Sequence, residues 1–218
     1  MSEEKLKGTL YEDQEAVKRF RDFENRYSQE VRIASVTQEC PYGHREGETY
    51  HISNCNSDGL CGALYASLHT SIVTLHYWGS LPWSPEPDTY SSMCPEMKVR
   101  VEITRKEQAQ KKLLKTDAPA RKMVGRGFPA LDKHRAFIEI MGVDKVCTWG
   151  HRQGQRFEMD PFNVGGVCGF LYSKAYPYLN VLLAGVQLPW IPEGERAMYQ
   201  VCPDSYNQTS YRLVVEER

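Results

Sequence analysis

The stretch CPYGHREGETYHISNCNSDGLCGALY, residues 40–65, has a second copy later in the chain, CTWGHRQGQRFEMDPFNVGGVCGFLY, residues 147–172. At an offset of 107 residues the two segments keep the same histidine, two cysteines and several glycines, although most residues between them differ. A third cysteine, followed by proline and an acidic residue, comes at Cys94 and, after one extra residue, at Cys202. The repeated spacing predicts two units of one fold, related by tandem duplication.

The hydrophobic pattern around these segments predicts the same order of elements in each unit. VRIASV and TYHIS are typical of strands and flank a glycine-rich turn, a long apolar helix begins at Cys61, and a strand after Cys94 ends the unit. The second helix is expected to begin at Cys168, and Pro177 is expected to kink or shorten it. The predicted fold class is α+β, with two tandem strand-knuckle-strand-helix-strand units and an N-terminal helix.

The chain divides into four predicted parts. These are an N-terminal helical extension over residues 1–30, a first unit over 31–104, a basic linker over 105–137 and a second unit over 138–218. Apolar residues recur at helical spacing between residues 12 and 28, which predicts one amphipathic helix there. Residues 105–135 contain ten Lys or Arg against three acids, a composition typical of a solvated linker. An arm that folds over a carboxylate-bearing substrate is the alternative.

Composition limits the partners. Lys and Arg number 27 against 28 acidic residues in a chain of 218, so no net charge drives binding to nucleic acid or an anionic membrane. No apolar run approaches the roughly 20 residues that span a bilayer, and the first residues are polar rather than a secretory signal. We therefore expect a cytoplasmic protein with a small-molecule substrate, and neither nucleic acid nor membrane as a partner. In a reducing compartment seven cysteines favour metal binding or reactivity over disulfides.

Each predicted unit has three cysteines and one histidine at matched positions: Cys40, His44, Cys61 and Cys94 in the first, and Cys147, His151, Cys168 and Cys202 in the second. Three thiols and one imidazole form a ligand set of tetrahedral zinc or iron, so we predict that these residues bind metal, with the number of units that do so left open. A cysteine at a helix start is favoured as thiolate. Buried structural thiols, disulfides, or a nucleophilic cysteine with a histidine base are the alternatives, because no C-x-x-C pair is present.

The first unit has polar residues that the second lacks. His69 and His76 are seven residues apart on the predicted helix and therefore share a face. Together with Glu86, which follows the LPW motif, they are the predicted catalytic residues. Trp83 and Trp190 lie in the two LPW motifs and are predicted to be buried packing anchors.

Four motifs in one order, C-x-x-G-H-x-x-G, G-x-C, LPW and C-P-[DE], resemble those of a family of small bacterial proteins that usually carry one copy of this unit. The resemblance covers about residues 31–104 and 138–218, and Glu96 stands where the family has aspartate. Duplicated members act in anaerobic phloroglucinol degradation. The resemblance therefore implies a hydrolase of the dihydrophloroglucinol cyclohydrolase type, which hydrolyses a carbon–carbon bond to open the ring of a cyclic 1,3-diketone.

The implied chemistry can be related to the predicted residues. A divalent metal would polarise a ketone and acidify water, and a histidine would carry the proton. A closed site of three cysteines and one histidine leaves no open position on the metal, so catalysis requires either one ligand fewer or a separate reaction centre. The competing hypothesis is a non-catalytic metal-binding or thiol-rich interaction module.

Overall fold

The computed structural model describes residues 22, 26–107, 128–144, 147, 149–203 and 209–218. These ranges form two units. The first unit contains β1 (Tyr27–Val36), β2 (Thr49–Ile52), α1 (Gly62–His76), β3 (Thr89–Met93) and β4 (Val99–Glu107). The second contains a short 3-10 helix (Pro129–Asp132), β5 (His134–Val143), β6 (Arg156–Met159), α2 (Gly169–Leu183), β7 (Ala197–Val201) and β8 (Thr209–Glu217). The α+β class is confirmed.

Each unit has one antiparallel four-stranded sheet, in the order β2-β1-β4-β3 or β6-β5-β8-β7. The two long strands lie at the centre and the short strands form the edges. Side chains alternate along the central strands, so that Val31 and Ile33 face the helix and are fully buried, while Arg32 between them is exposed. A bulge interrupts β1 after Ile33, and a corresponding one interrupts β5 after Ile140. The sheets thus each present one apolar face to a helix.

The two helices contact each other, and most buried apolar side chains of both units form one hydrophobic cluster, while Phe137, Ala197 and Val214 form a second, smaller one. Across this contact the Gly62 amide donates to the Phe162 carbonyl (2.6 Å), and the Gly169 amide donates to the Cys55 carbonyl (2.8 Å). The first amides of a helix have no partner within it, so each unit satisfies the helix start of the other. The two units are therefore joined at the helix ends that carry Cys61 and Cys168.

The prediction of three strands for each unit was wrong, because β3 and β7 form a fourth strand at one edge of each sheet. These five-residue strands pair with β4 and β8. Cys94 lies in the turn between β3 and β4, and Cys202 directly follows β7. Both helices have 15 residues, so Pro177 does not shorten α2; it lies on the exposed side of the helix.

The prediction that Trp83 and Trp190 are packing anchors was also wrong. Their exposed fractions are 70% and 66%, whereas Leu81 and Leu188, two residues earlier, are buried at 8% and 7%. A tight turn follows each leucine and displays the tryptophan at its tip, with Ser84 N bonded to Leu81 O (2.9 Å) in the first unit. The leucine, not the tryptophan, anchors each loop.

The predicted outer boundaries differ from those of the strands. Most of the helix expected over residues 12–28 lies outside the described residues, and Tyr27 and Ser28 belong to β1. The centre of the basic linker, residues 108–127, also lies outside them, while β4 continues to Glu107 and β5 already begins at His134. Within the described ranges, no helix combines the length and apolar character needed to cross a membrane.

Candidate functional site

The first predicted set, Cys40, His44, Cys61 and Cys94, lines a single cavity of about 160 Å³. Three different elements deliver these side chains: the turn between β1 and β2, the N-cap of α1, and the hairpin turn between β3 and β4. The cavity lies between the two units. The remaining wall contains Pro41, Tyr42, Ala63, Leu64, Pro95, Glu96, Lys98, Val99 and Phe128, and also Pro161, Phe162, Tyr176 and Asn180 of the second unit.

The sulfur of Cys94 is held by backbone amides in its hairpin turn. Lys98 N and Val99 N each lie 3.3 Å from Cys94 Sγ and donate to it. The turn is closed by the Cys94 amide, which donates to the Val99 carbonyl at 2.8 Å. These contacts fix the position of the Cys94 sulfur in the cavity wall.

Cys61 is the most buried thiol of this set. Its pKa is raised to about 12, mainly by burial; the amides of Leu64 and Ala63 at the helix start offset part of this effect, and the nearby sulfurs of Cys40 and Cys94 add to it. In this surrounding Cys61 is protonated at neutral pH unless a cation compensates its charge. The alternative of Cys61 as an activated nucleophile therefore has little support from the geometry.

His44 is buried and takes part in a network with a carboxylate and a phenol. Its Nδ1 lies 3.0 Å from the Tyr50 hydroxyl and 3.3 Å from Glu48 Oε2, and the Tyr50 hydroxyl donates to Glu48 Oε2 at 2.8 Å. Because Tyr50 gives its only proton to Glu48, His44 Nδ1 must be the donor to both oxygens. The neutral imidazole then carries its lone pair on Nε2. Such a carboxylate–histidine pair is common behind metal ligands and proton carriers.

The second set has the same residue types, but its histidine makes different contacts. His151 is buried, and its Nε2 accepts a hydrogen bond from the Cys168 amide at 3.2 Å, so the lone pair of this nitrogen is engaged by the backbone. Cys147 lies near Cys168, and burial raises the pKa of its thiol. Gln155 and Phe157 stand at the positions of Glu48 and Tyr50. The second set thus lacks the network around His44.

Among the residues that the structure describes, no coordination site is assembled. In the described part of the chain, no group of three or more His, Cys, Asp or Glu side chains is arranged to hold a metal ion. The donor types around the first cavity suit zinc or iron, and amides support at least one sulfur, but the four side chains do not converge on a common point. Metal binding would need them to move inward, and it stays a prediction.

Comparison with known proteins found no matching family, no similar curated protein and no similar solved structure. Function is therefore inferred from the cavity itself.

The predicted catalytic residue His69 lies outside the cavity wall. Its Nε2 donates to the Asn54 carbonyl at 3.1 Å, and its ring packs edge-on against Tyr65 and against Phe170 of the second unit. Burial lowers the pKa of His69, partly offset by the bond to Asn54. These contacts are those of a neutral histidine that holds the two units together.

His76 and Glu86 also lie outside the cavity wall. His76 lies at the opposite end of α1, about 22 Å along the helix axis from Cys61 at a rise of about 1.5 Å per residue. It is fully buried, with Nδ1 3.4 Å from Gln29 Nε2. Glu86 is exposed in the loop after Trp83. The structure therefore does not bring the three predicted catalytic residues to the cavity.

Four residues of the site escaped the sequence analysis. Glu48 and Tyr50 could have been found by comparing the two copies, because they are replaced by an amide and a phenyl ring in the second. Tyr176 and Asn180 also differ from their counterparts in the first copy, but nothing in the sequence indicates that they line a cavity with the other unit, because that depends on the contact between the helices.

Proposed function

We propose that the chain is a hydrolase that opens the ring of a small cyclic 1,3-diketone in the cavity of the first unit. The size and lining of this cavity carry the proposal. A cavity of about 150 Å³ is known to hold one benzene molecule, so the volume here of about 160 Å³ suits one six-membered ring. Phe128, Pro161 and Phe162 supply apolar walls for the ring, and polar groups lie beside them.

The reaction requires one proton to be moved. Water adds to one ketone carbon, the bond from that carbon to the carbon between the two ketones breaks, and the electron pair is delocalised onto the second ketone as an enolate. The carbon that leaves then takes a proton, which gives a ring-opened keto acid. We assign the transfer to His44: its Nε2 lone pair takes the proton from water, Glu48 stabilises the imidazolium, and the proton returns to the enolate carbon.

Cys40, Cys61 and Cys94 are the proposed ligands of a zinc or iron ion, with His44 as fourth ligand in the closed arrangement. Such an ion would polarise the ketone oxygen and lower the pKa of bound water. Because catalytic sites keep one position open, we favour three thiol ligands with His44 left as the proton carrier. Two observations support this assignment. Backbone amides hold the Cys94 sulfur in the cavity wall, and the buried Cys61 thiol loses its proton only when a nearby cation compensates the negative charge.

Turnover tests the proposal directly. Purified full-length protein, supplied with zinc or ferrous iron, is mixed with dihydrophloroglucinol, and loss of the enol absorbance is followed. We expect turnover that falls about 100-fold in His44→Gln and is unchanged in the matched variant His151→Gln. Retained metal in His44→Gln identifies a proton carrier, whereas lost metal identifies a ligand. Absence of turnover in the metal-loaded protein contradicts the proposal.

A non-catalytic, thiol-rich module is the second candidate. The bond from the Cys168 amide to His151 favours it, because there the same residue set serves the local fold alone. In that case tightly held metal should resist chelators, and Cys61→Ser should unfold the protein rather than only remove an activity. Metal loss that leaves the fold intact and removes turnover supports the hydrolase instead.

We also propose that the two units arose by tandem duplication and that the protein works in the cytoplasm. The recurrence of one element order and one strand order supports the first proposal. For the second, Cys40, Cys61, Cys94, Cys147 and Cys168 are thiols rather than disulfides, which suits a reducing compartment.

A further inference from the structure

The wall of the first cavity is completed by the second unit. We propose that Tyr176 and Asn180, on α2, recognise the bound ring by donating hydrogen bonds to one of its oxygens. The inference rests on the proposed function, because it concerns the ligand of the same cavity, and it assigns a binding role to residues of the unit that lacks the His44 network.

The position of the two residues on the helix supports this role. Tyr176 and Asn180 are four residues apart, so they project from one face of α2, and both line the cavity. Tyr176 and Asn180 are each partly buried. A ring between the apolar walls would thus have two polar side chains at one side.

Both side chains are suited to donate. Burial raises the pKa of the Tyr176 hydroxyl, and Asn180 offsets part of this, so the phenol keeps its proton at neutral pH. Asn180 Nδ2 donates to the Tyr176 carbonyl at 3.1 Å, and the Asn180 side chain also forms a hydrogen bond with the Tyr176 hydroxyl. A ligand oxygen would accept the Tyr176 O–H and replace that hydroxyl as the acceptor of the Asn180 amide. A ketone or enolate oxygen accepts such bonds.

Other polar groups of the wall are engaged with protein. The Tyr42 hydroxyl donates to the Gly59 carbonyl at 2.5 Å, and Lys98 Nζ is paired with Glu96 Oε2 at 2.6 Å. The Tyr176 hydroxyl and the Asn180 amide are bonded to each other, so a ligand oxygen needs to displace only the contact between these two side chains. This distinguishes them from the residues that belong to the first unit.

The corresponding positions of α1 differ in character. At the offset of 107 residues, His69 is the residue of α1 that corresponds to Tyr176, and Val73 corresponds to Asn180. His69 already donates a hydrogen bond to the Asn54 carbonyl, and the valine side chain has no hydrogen-bond donor. The two helices have therefore diverged so that α2, and not α1, presents a donor pair. A ligand-binding role of α2 explains why the second unit retains the fold, although its own His151 accepts a hydrogen bond from the Cys168 amide.

Binding of a non-hydrolysed or slowly hydrolysed ring tests the inference. The probe is 1,3-cyclohexanedione, titrated calorimetrically into full-length, metal-loaded protein. We expect Tyr176→Phe and Asn180→Leu each to weaken binding about tenfold, because a buried ligand oxygen loses its donor. Tyr178→Phe is the matched control, since Tyr178 lies on the same helix outside the cavity wall, and it should bind as the wild type does.

The outcomes separate the inference from the function. Unchanged affinity in both variants, with wild-type binding intact, overturns the role of Tyr176 and Asn180 but leaves the proposed hydrolase standing. Failure of the wild type to bind the probe overturns both. Thermal unfolding and metal content of each variant are measured in parallel, and equal values exclude a folding defect; if one variant does not fold, the other decides.

Discussion

The Tyr172 hydroxyl in the second unit occupies the space that a methyl group on Gly62 would need, and it donates to the Asp160 carbonyl at 2.9 Å. The same relation holds between Tyr65 and Gly169 in the opposite direction. Each helix start is therefore glycine because a tyrosine of the other unit packs directly against its backbone. The contact fixes how the two units meet and hence the shape of the cavity between them.

Gly62→Ala is expected to destabilise the protein by about 2 kcal/mol, because overpacking at a rigid contact costs about 1–3 kcal/mol. Helix propensity alone predicts the opposite sign, since alanine is favoured over glycine by about 1 kcal/mol. Gly169→Ala should behave alike. The measurement is urea unfolding of the two variants, with Thr70→Ala on the exposed side of α1 as control. A Gly62→Ala protein as stable as the wild type contradicts the described packing.

Metal content should depend on the first unit alone. Cys61→Ser is expected to lower bound zinc from about one equivalent per chain to near none, whereas Cys168→Ser should leave it unchanged, because His151 is engaged by the backbone. Elemental analysis after dialysis measures both. Loss of zinc in Cys168→Ser, with zinc retained in Cys61→Ser, would place the metal site in the second unit and contradict this prediction.

The network around His44 should matter for turnover more than for stability. Glu48→Gln and Tyr50→Phe are each expected to lower kcat about tenfold, because they remove groups that orient the imidazole and stabilise its charged form. Glu46→Gln, at an exposed carboxylate of the same turn, is the matched control. Equal kcat in Glu48→Gln and Glu46→Gln would show that the network has only a structural role.

His69 should make stability sensitive to mild acid. Burial lowers its pKa below the ordinary value of 6.5, so the unfolded chain binds a proton more readily than the folded one. The free energy of unfolding should therefore fall as the pH drops through about 6.5 toward the lowered folded value, and be unaffected above it. His69→Gln should weaken this dependence, measured by urea unfolding at several pH values. His51→Gln, at an exposed histidine, should keep it.

The LPW loops should depend on their leucines. Leu81→Ala is expected to cost about 2–3 kcal/mol, since it removes a buried side chain. Trp83→Ala and Trp190→Ala should each change stability by less than about 0.5 kcal/mol, because the rings face solvent. Thermal unfolding of the three variants measures these changes in stability. A large loss of stability in Trp83→Ala would contradict the exposed position of this ring.

Local sequence patterns predicted much of the fold. The alternation in β1 and β2, the helix that follows Cys61 and the glycine-rich turn that holds Cys40 and His44 were all recognised, because each depends on neighbours a few residues away. The edge strand β3 was missed, since Thr89–Met93 has no clear alternation and becomes a strand only by pairing with β4.

The sequence predicted the residue types of the candidate site but not all of their positions. Its sulfur and imidazole groups were found from their repeated spacing, and the structure brings the first set to one cavity. The placement of His76 failed, because sharing a helix face says nothing about distance along that helix.

The sequence alone determined two units of strands and one helix, and the cysteine and histidine positions on them. Only the tertiary structure decided that the tryptophans face solvent, that His151 serves the backbone, and that Tyr176 and Asn180 enter the cavity of the other unit. The physical reason is that periodicity reports which face of an element is apolar, whereas contacts between elements depend on how the folded chain packs, whether the residues are 17 positions apart, as His151 and Cys168 are, or in different units, as Tyr176 and Cys61 are.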